Sequence, residues 1–429
     1  MRDILIITIV FAGSLYALRQ PWIGVMLWTW ISLMNPHALA YGFSQSFPVA
    51  ATVAGATFIG LLITKERRNP FISAPVTWLA LFMAWMCITY LFSYNLEGST
   101  EMLKKVMKID VMLLITLALL STRKHIDTFI WIVVFSLGFY GVKGGIFTLT
   151  TGGSHRVWGP GGFIGGNNEI ALALIITIPF MYYLNLIATN KWVKRGLLAA
   201  ILLSAAAALG SHSRGAFLAI AAMSVYMWLK SPKKLLFGSA MLVAGIALLI
   251  FMPDEWGMRM NTIKNYEEDG SAMGRINAWW MAYNLATVRI TGGGFDIYTP
   301  EIFAVYAPDP FDIHAAHSIF FQVLGEHGFI GLFLFLGIWW ATWRNAAWLI
   351  KNGGISAETQ WCKYLGAMCQ VSLLGYAAGG AFLSLAYFDL PYNAMIMVVL
   401  ARDWLERRAW QHEPPTMHSA LSAAGAIKS

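Results

Sequence analysis

Charged residues are scarce in this sequence. Asp, Glu, Lys and Arg make up 12% of the 429 residues, whereas soluble globular proteins carry roughly 25%. Hydrophobic residues reach 58%, the mean hydropathy is +0.59, and runs nearly free of charge occupy 111–120, 170–187 and 236–252. Such runs suit the hydrocarbon interior of a bilayer. The composition therefore excludes an ordinary soluble protein and predicts an all-α polytopic integral membrane protein.

Cysteine is also rare, with three residues in the whole chain. Cys87, Cys362 and Cys369 all lie in apolar segments, and the last two are spaced to share one helix face. This pattern offers no disulfide framework and no zinc-binding spacing. We interpret the three thiols as packing residues.

Common motifs for binding phosphate and metal are missing as well. No G-x-x-x-x-G-K-[ST] loop is present, so Gly292–Gly294 is interpreted as a flexible turn. The external side contains no D-x-D pair that could bind Mg²⁺ together with a nucleotide-sugar. His314 and His317, with Asp312 as a third ligand, would make only a weak zinc motif, because H-x-x-H lacks the H-E-x-x-H context. The sequence therefore predicts no metal site and no cofactor.

The charge that is present is mostly basic, with a net charge of +8. A basic balance can indicate nucleic-acid binding, but here Lys and Arg form short clusters between apolar runs, which is the positive-inside pattern of cytoplasmic loops. The sequence thus predicts membrane topology and no nucleic-acid partner. The clusters are Lys65, Arg67 and Arg68; Arg123 and Lys124; Lys191, Lys194 and Arg195; Lys230, Lys233 and Lys234; Arg344 and Lys351; and Arg402, Arg407 and Arg408.

With these clusters inside, the sequence predicts about 12–14 transmembrane helices. Met1–Arg19 lacks a small-residue cleavage site and is interpreted as a retained first helix. The predicted helices cover about 3–18, 22–36, 47–64, 73–92, 107–121, 126–149, 169–188, 196–210, 214–230, 235–252, 318–342, 360–386 and 391–402. We divide the chain into N-terminal helices (1–149), a membrane core with a candidate catalytic or binding site (150–402) and a cytoplasmic tail (403–429), which is predicted to be disordered from Pro414.

Two long loops fall on the external side. The first is TTGGSHRVWGPGGFIGGNNEI at 150–170, and the second is one large loop at 253–316 that bears short helices such as MGRINAWWMAYNLATV. A loop of that length is usually functional. Lys104, Lys105 and Lys108 also fall on this side, within TEMLKKVMKID. Their spacing fits an interfacial helix that touches lipid phosphates, but it fits equally a solvated face or a misplaced boundary.

Arginine is uncommon on the external side, so its positions are informative. Arg214 lies in GSHSRGAFLAI, between two apolar runs and close to membrane depth, where a guanidinium needs an anion, a wet cavity or a route to the interface. Its planar fork suits phosphate better than a lysine does. Arg275 precedes Trp279 on a helix predicted to lie along the membrane surface, and Arg156 follows a glycine-rich segment. For Arg156 and Arg275, ligand binding and simple solvent exposure both stay open.

Three histidines lie in FDIHAAHSIFFQVLGEHGFIG, residues 311–331. His317 directly precedes the apolar run 318–340, and a neutral imidazole at the mouth of a helix can accept a proton. From the residues alone, an ordinary loop histidine is the default interpretation. His314 is a loop residue that can tune His317, and His327 lies inside the helix with no assigned task. Gly328 and Gly331 are interpreted as close-packing positions.

Three motifs in chain order carry a resemblance to a known family. S-x-S-R-G at 211–215, R-x-x-x-W at 275–279 and H-x8-E-x-G-x-x-G at 317–331 resemble the O-antigen ligase superfamily. That superfamily includes lipopolysaccharide O-antigen ligases, O-antigen polymerases and protein O-oligosaccharyltransferases. The similarity covers about 150–400. The N-terminal part, which begins MRDILIITIVFAGSLYALRQPWIG, resembles the O-glycosylation ligase branch associated with exosortase systems.

The resemblance implies a metal-independent glycosyltransferase of the bacterial inner membrane, with its active site facing the periplasm. The implied donor is an undecaprenyl-pyrophosphate-linked glycan, and the implied acceptor is the lipid A–core oligosaccharide of lipopolysaccharide, or a protein. His317 matches the essential histidine, Arg214 and Arg275 match the essential arginines, and Arg156 resembles a further basic position. Glu326 matches the motif in a supporting role.

The chemistry fits these residues on general grounds. A sugar pyrophosphate already carries a good leaving group, so no general acid is needed. Guanidinium groups can stabilise the charge on the departing pyrophosphate, and His317 can take the acceptor proton. No glycosidase-type carboxylate pair is apparent, which favours a single inverting displacement. An O-antigen polymerase and a protein O-oligosaccharyltransferase of the same fold remain alternatives. A lipid-linked glycan transporter is a further alternative, although the chain shows no inverted repeat.

Overall fold

The computed structural model of the chain describes residues 2–231, 233–251, 253–254, 256–257 and 270–413. These residues form fifteen α-helices and no β-strand. In chain order the helices are α1 (Arg2–Ala17), α2 (Pro21–Met34), α3 (Val49–Ile63), α4 (Ala74–Tyr90), α5 (Leu96–Leu119), α6 (Arg123–Thr150), α7 (Asn167–Ile187), α8 (Lys191–Gly210), α9 (Arg214–Lys230), α10 (Lys234–Phe251), α11 (Gly270–Val288), α12 (Pro300–Tyr306), α13 (Ile319–Asn352), α14 (Gln360–Gly380) and α15 (Asp389–Glu406).

The helices have the character of membrane spans. By length and composition, α6, α7, α8 and α13 are able to cross a bilayer, and shorter apolar helices include α2, α3, α4 and the segment Lys234–Ala247. A bilayer favours helices because they satisfy their own backbone hydrogen bonds. The predicted all-α membrane fold is confirmed. The count of 12–14 crossings stays a prediction, as does the division at residues 149 and 402.

Helices α7 and α15 lie at the centre of the bundle. Residues 170–177 of α7 and the whole stretch 385–401 around α15 are buried. A helix that is apolar on every side belongs in the interior, where side chains can pack all around it. Hydrogen bonds tie these helices to their neighbours: the Ser372 hydroxyl donates to the Ile176 carbonyl at 2.7 Å, and Ser32 donates to the Asp389 carboxylate at 2.5 Å.

The predicted start of α5 was wrong. The sequence placed it near 107, but the helix begins at Leu96, where the Asn95 side chain accepts a hydrogen bond from the Gly98 amide at 3.0 Å. An asparagine cap satisfies an amide that the first turn would leave unpaired. The stretch with Lys104, Lys105 and Lys108 is therefore one continuous helix with the apolar segment that follows.

The large loop does carry short helices, as predicted. Helix α11 covers the expected segment, and its Ala278, Met281 and Leu285 form a small buried cluster with Ile302 and Phe303 of α12. Residues 255 and 258–269 of this predicted loop lie outside the described residues.

Helix α13 is interrupted at Gly328, which the sequence placed inside a continuous helix. Gly328 has φ 66°, ψ −172°, a backbone conformation that favours glycine. The triple Gly292–Gly294 packs against this break: the Gly293 and Gly294 amides donate to the Gly325 and Glu326 carbonyls, each at 2.9 Å. The turn predicted at Gly292–Gly294 is present, but it is tied to α13 by these hydrogen bonds.

The region after α15 is packed as far as it is described. The Glu413 carboxylate accepts a hydrogen bond from the Arg123 amide at 3.0 Å, and Arg407 donates to the Ser121 carbonyl at 3.0 Å. The predicted disorder from Pro414 lies outside the described residues.

Candidate functional site

His317 lies in the loop between α12 and α13, two residues before the helix begins. Its φ of 43° is left-handed, a conformation that non-glycine residues adopt when their surroundings hold them there. The ring is half-buried, and its pKa is lowered to about 4, first by burial and then by the charges of Arg275 and His314. The imidazole is therefore neutral at neutral pH and able to accept a proton.

Helix α11 holds the loop that carries His317. The Asn277 side chain donates to the carbonyls of Asp309 and Asp312 at 2.8 and 2.9 Å. The Trp279 indole donates to the Ala316 carbonyl at 2.7 Å, and its ring stacks on Phe321 at a centroid distance of 4.9 Å. The backbone next to His317 is thus fixed by the helix that also carries Arg275.

His314 lies against the same helix. A Cβ added at Gly274 would come within 2.5 Å of the His314 ring, so the ring occupies the space that this glycine leaves. The His314 Nδ1 and the Asp312 carboxylate are 2.8 Å apart. The structure therefore brings His314, His317 and Arg275 together, which agrees with a tuning role for His314.

Arg214 begins α9. The Ser213 hydroxyl caps this helix by accepting from the Ala216 amide at 3.2 Å, and the half-buried Arg214 is the first residue of the helix. Gly215 packs against Gly379. The next residue, Gly380, packs against Ile319 of α13. The start of α9, next to Arg214, and the start of α13, next to His317, thus pack against two adjacent glycines of α14.

The loop that carries Arg156 is held to the turn before Arg214. The Val157 amide donates to the Gly210 carbonyl at 3.2 Å. The Asn167 side chain donates to the Ser211 carbonyl at 2.8 Å, and the His212 Nε2 lies 2.8 Å from the Gly153 carbonyl. Arg156 itself is exposed. Sequence reasoning missed Asn167, which begins α7, and His212, which follows α8.

Glu326 lies in the helical core behind the loop. Its side chain is buried and accepts a hydrogen bond from the Tyr387 hydroxyl. Gln322, one turn earlier, accepts from the Ala386 amide at 3.3 Å. These contacts connect α13 to the segment before α15. Glu326 is therefore buried and bonded to protein, as a supporting residue would be. Its partner Tyr387 was not identified from the sequence.

His327 is also fully buried, and its Nδ1 lies 2.7 Å from the Thr89 hydroxyl. Its carbonyl accepts from the Trp85 indole at 2.8 Å. A Cβ on Gly331 would lie 2.3 Å from the Cβ of His327, and one on Gly328 would lie 2.2 Å from the Ile290 carbonyl oxygen. The prediction that both glycines are close-packing positions is confirmed.

Within the described part of the chain, no group of three or more His, Cys, Asp and Glu side chains is arranged to hold an ion. The free thiols Cys362 and Cys369 are buried, whereas Cys87 is exposed. Metal independence remains a prediction for the reaction itself.

The fold is that of an all-α, polytopic membrane protein, and the site places a neutral histidine, His317, beside Arg275. Residues 199–336 match a family model described as O-antigen ligase, and residues 1–189 match a family of unknown function (DUF5935). Over residues 199–336, about a third of the chain, the protein is thus similar to the O-antigen ligase family. A comparison with curated proteins gives no match.

The two matches divide the candidate residues. Arg214, Arg275, His314, His317 and Glu326 all lie in the part that matches O-antigen ligase. Arg156 lies in the part of unknown function.

Proposed function

We propose that this protein is an O-antigen ligase-type glycosyltransferase of the bacterial inner membrane, with its site facing the periplasm. It transfers a glycan from undecaprenyl pyrophosphate to an acceptor hydroxyl, the first expected acceptor being the lipid A–core oligosaccharide in lipopolysaccharide biosynthesis. His317 is the general base. Arg214 and Arg275 bind the donor pyrophosphate, and Arg156 assists from its loop.

The observation that carries the proposal is the pairing of His317 with Arg275. A half-buried, neutral imidazole lies close enough to this guanidinium for the positive charge to lower the histidine pKa. Histidine accepts the proton of an attacking hydroxyl, and arginine stabilises an anionic leaving group. The packing of Gly215 and Ile319 on adjacent glycines supports the placement of Arg214 on the same side of the bundle.

The proposed step is a single displacement. The acceptor oxygen attacks the anomeric carbon while the bond from that carbon to the pyrophosphate oxygen breaks, and the bonding electrons leave with the pyrophosphate. The acceptor proton passes to the imidazole of His317. One displacement inverts the anomeric configuration, and no metal takes part. Arginine contacts of this kind contribute about 2.7–4 kcal/mol each to stabilising the developing charge, by analogy with oxyanion-hole donors.

Donor binding would also raise the pKa of His317. Burial and two neighbouring groups lower the pKa of His317 to about 4. A bound pyrophosphate would place negative charge beside Arg275 and offset its effect on the imidazole. The pKa of His317 would therefore rise toward neutrality when the donor is present, which makes the imidazole a stronger base for the reaction.

The proposal can be tested with the purified full-length protein and an undecaprenyl-pyrophosphate glycan. Product is measured with lipid A–core, with a peptide acceptor and with donor alone, each with and without a chelator. We expect a glycosylated lipid A–core, unaffected by the chelator, and a kcat about 10²–10⁴-fold lower for His317→Gln. His412→Gln, a change at an exposed histidine after α15, is the matched control.

The other outcomes separate the alternatives. Glycosylated peptide would identify a protein O-oligosaccharyltransferase, and extended chains from donor alone would identify a polymerase. Movement of the donor across vesicles without a new glycosidic bond would instead indicate a transporter. Full activity of His317→Gln would refute the assigned base in each enzymatic case.

A further inference from the structure

A cavity of about 690 Å³ lies apart from His317, between α2, α5 and the loop before α7. Pockets that bind small molecules usually measure about 300–1,000 Å³. The walls come mainly from residues 28–109 and 162–164, within the segment that matches a family of unknown function. Lys104, Lys105 and Lys108, whose role the sequence left open, all line it.

The three lysines differ in their partners. The Lys104 ammonium is 3.3 Å from the Glu101 carboxylate, so much of its charge is offset. The Lys105 ammonium lies 3.7 Å from the centre of the Phe163 ring, in a cation–π contact at the cavity wall. Within the described residues, Lys105 and Lys108 form no ion pair. Two ammonium groups therefore remain to attract an anion.

The acidic groups nearby are engaged elsewhere. Asp296, which lines the cavity, accepts from the Asn95 side chain at 2.9 Å. Asp389 lies behind the wall, where it is buried and accepts from Ser32. The negative charges of Asp296 and Asp389 partly offset the positive charges of the lysines. Each carboxylate also accepts a hydrogen bond from a protein side chain.

Neutral donors and apolar side chains complete the wall. Asn35 and His37 line the cavity, and burial lowers the pKa of His37, so its ring is neutral. Trp28, Ile31 and Phe163 supply an apolar surface beside these polar groups. A ligand that fits this lining combines an anionic head with a hydrocarbon part.

We propose that the cavity binds the phosphate of a lipid, with Lys105 and Lys108 on the phosphate and the apolar wall against the adjoining hydrocarbon. Lysine is a common phosphate ligand, and basic residues near a membrane surface attract anionic lipids. Lys104 and Lys108 are exposed, so the cavity communicates with the surface of the protein. The proposal does not depend on the glycosyl transfer assigned to His317.

A lipid bound there would contact segments that lead to the candidate active site. Phe388 lines the cavity, and its neighbour Tyr387 donates to Glu326. Asp296 also lines the cavity, and its neighbour Phe295 packs against the His327 ring at a centroid distance of 4.6 Å. Two residues of the cavity wall are thus sequence neighbours of residues that contact Glu326 and His327 on α13.

The test uses the full-length protein in detergent, with native mass spectrometry to count bound lipid. Phosphatidic acid and phosphatidylcholine are offered in competition, and inorganic phosphate is added as a separate competitor. We expect retention of phosphatidic acid and an affinity about tenfold lower for Lys105→Gln/Lys108→Gln, as expected for the loss of charge-assisted contacts. Lys191→Gln/Lys194→Gln removes the same charge from exposed positions on α8 and should bind as the unmodified protein does.

A second variant distinguishes lipid binding inside the cavity from electrostatic attraction of lipid to the protein surface. Ala50→Trp adds bulk to the cavity wall without changing charge, and it should also reduce retention of phosphatidic acid. Displacement by inorganic phosphate would identify the phosphate group alone as the ligand, and resistance to displacement would identify the whole lipid; either result supports phosphate recognition. Equal retention by the double lysine variant and the unmodified protein would overturn the proposal, as would equal retention by a folded Ala50→Trp protein.

Discussion

The protonation of His317 is set by its surroundings. Burial disfavours the imidazolium, and the positive charge of Arg275 adds to that effect, so that the pKa is about 4. The residue is also held in a left-handed conformation by a loop whose neighbouring carbonyl, that of Ala316, is fixed by Trp279. A base in such a place keeps its orientation without being protonated before the acceptor arrives.

Replacing Arg275 should change the pH dependence of the reaction. The activity is expected to fall as the pH drops through the pKa of His317, because the imidazolium cannot accept a proton. Burial, the largest cause of the lowered pKa, stays in Arg275→Gln, but one of the charges that add to it is removed, so the acidic limb of kcat/KM should move from about 4 to higher pH while staying below the usual value of 6.5. The measurement is a pH profile of kcat/KM on the purified enzyme.

Arg275→Lys provides the control for that experiment. It keeps the positive charge but loses the planar fork, so the rate should fall while the acidic limb stays near its original position. An unchanged limb in Arg275→Gln would show that the arginine does not act on the imidazole.

The candidate site was only partly predictable at the residue scale. Arg214 and His317 could be singled out because each stands next to an apolar run, where a polar side chain is costly and calls for a reason. Asn167 and His212 could not, because their task is to bind carbonyls that the fold brings near. The same holds for Tyr387, whose contact with Glu326 joins positions 61 residues apart.

At the scale of elements, hydropathy located most helices but missed the interruption of α13. The break at Gly328 depends on Gly293 and Gly294, which approach from a distant loop and donate hydrogen bonds to α13 carbonyls. Hydropathy carries no information about such an approach. The start of α5 was missed for a related reason, since its first turns are polar and are capped by Asn95.

Adding a methyl group at the break should destabilise the protein. In Gly328→Ala the new Cβ would lie 2.2 Å from the Ile290 carbonyl oxygen, and φ of 66° is unfavourable for alanine. We expect a loss of about 1–3 kcal/mol from the backbone conformation alone, plus the effect of the clash. The thermal unfolding midpoint of the purified protein in detergent should fall.

Gly196→Ala is the matched control. Gly196 lies in α8, and an added Cβ there meets nothing within 4 Å. Its midpoint should stay the same or rise, because alanine favours a helix over glycine by up to about 1 kcal/mol. Equal midpoints for the two variants would contradict a constrained break at Gly328.

At the scale of the whole molecule, the basic clusters and the candidate site lie at opposite ends of the helices. The Arg68 guanidinium is 3.7 Å from the Asp403 carboxylate, and Arg407 donates to the Ser121 carbonyl just before α6, so distant basic clusters meet at one end. The loop with Arg156 joins the turn before Arg214 at the far end of α6 and α8. This polarity agrees with the topology expected from the positive-inside pattern.

Cysteine labelling in intact cells can test that orientation. With Cys87 replaced by Ser and the buried Cys362 and Cys369 kept, single cysteines are placed at His155 and Lys191, which are both exposed and lie at opposite ends of α7. A maleimide that does not cross the inner membrane should label His155→Cys in intact cells, because its loop is expected in the periplasm. Lys191→Cys should react only after permeabilisation. The reverse pattern would place the candidate site in the cytoplasm, where a ligase for periplasmic acceptors has no access to its substrate.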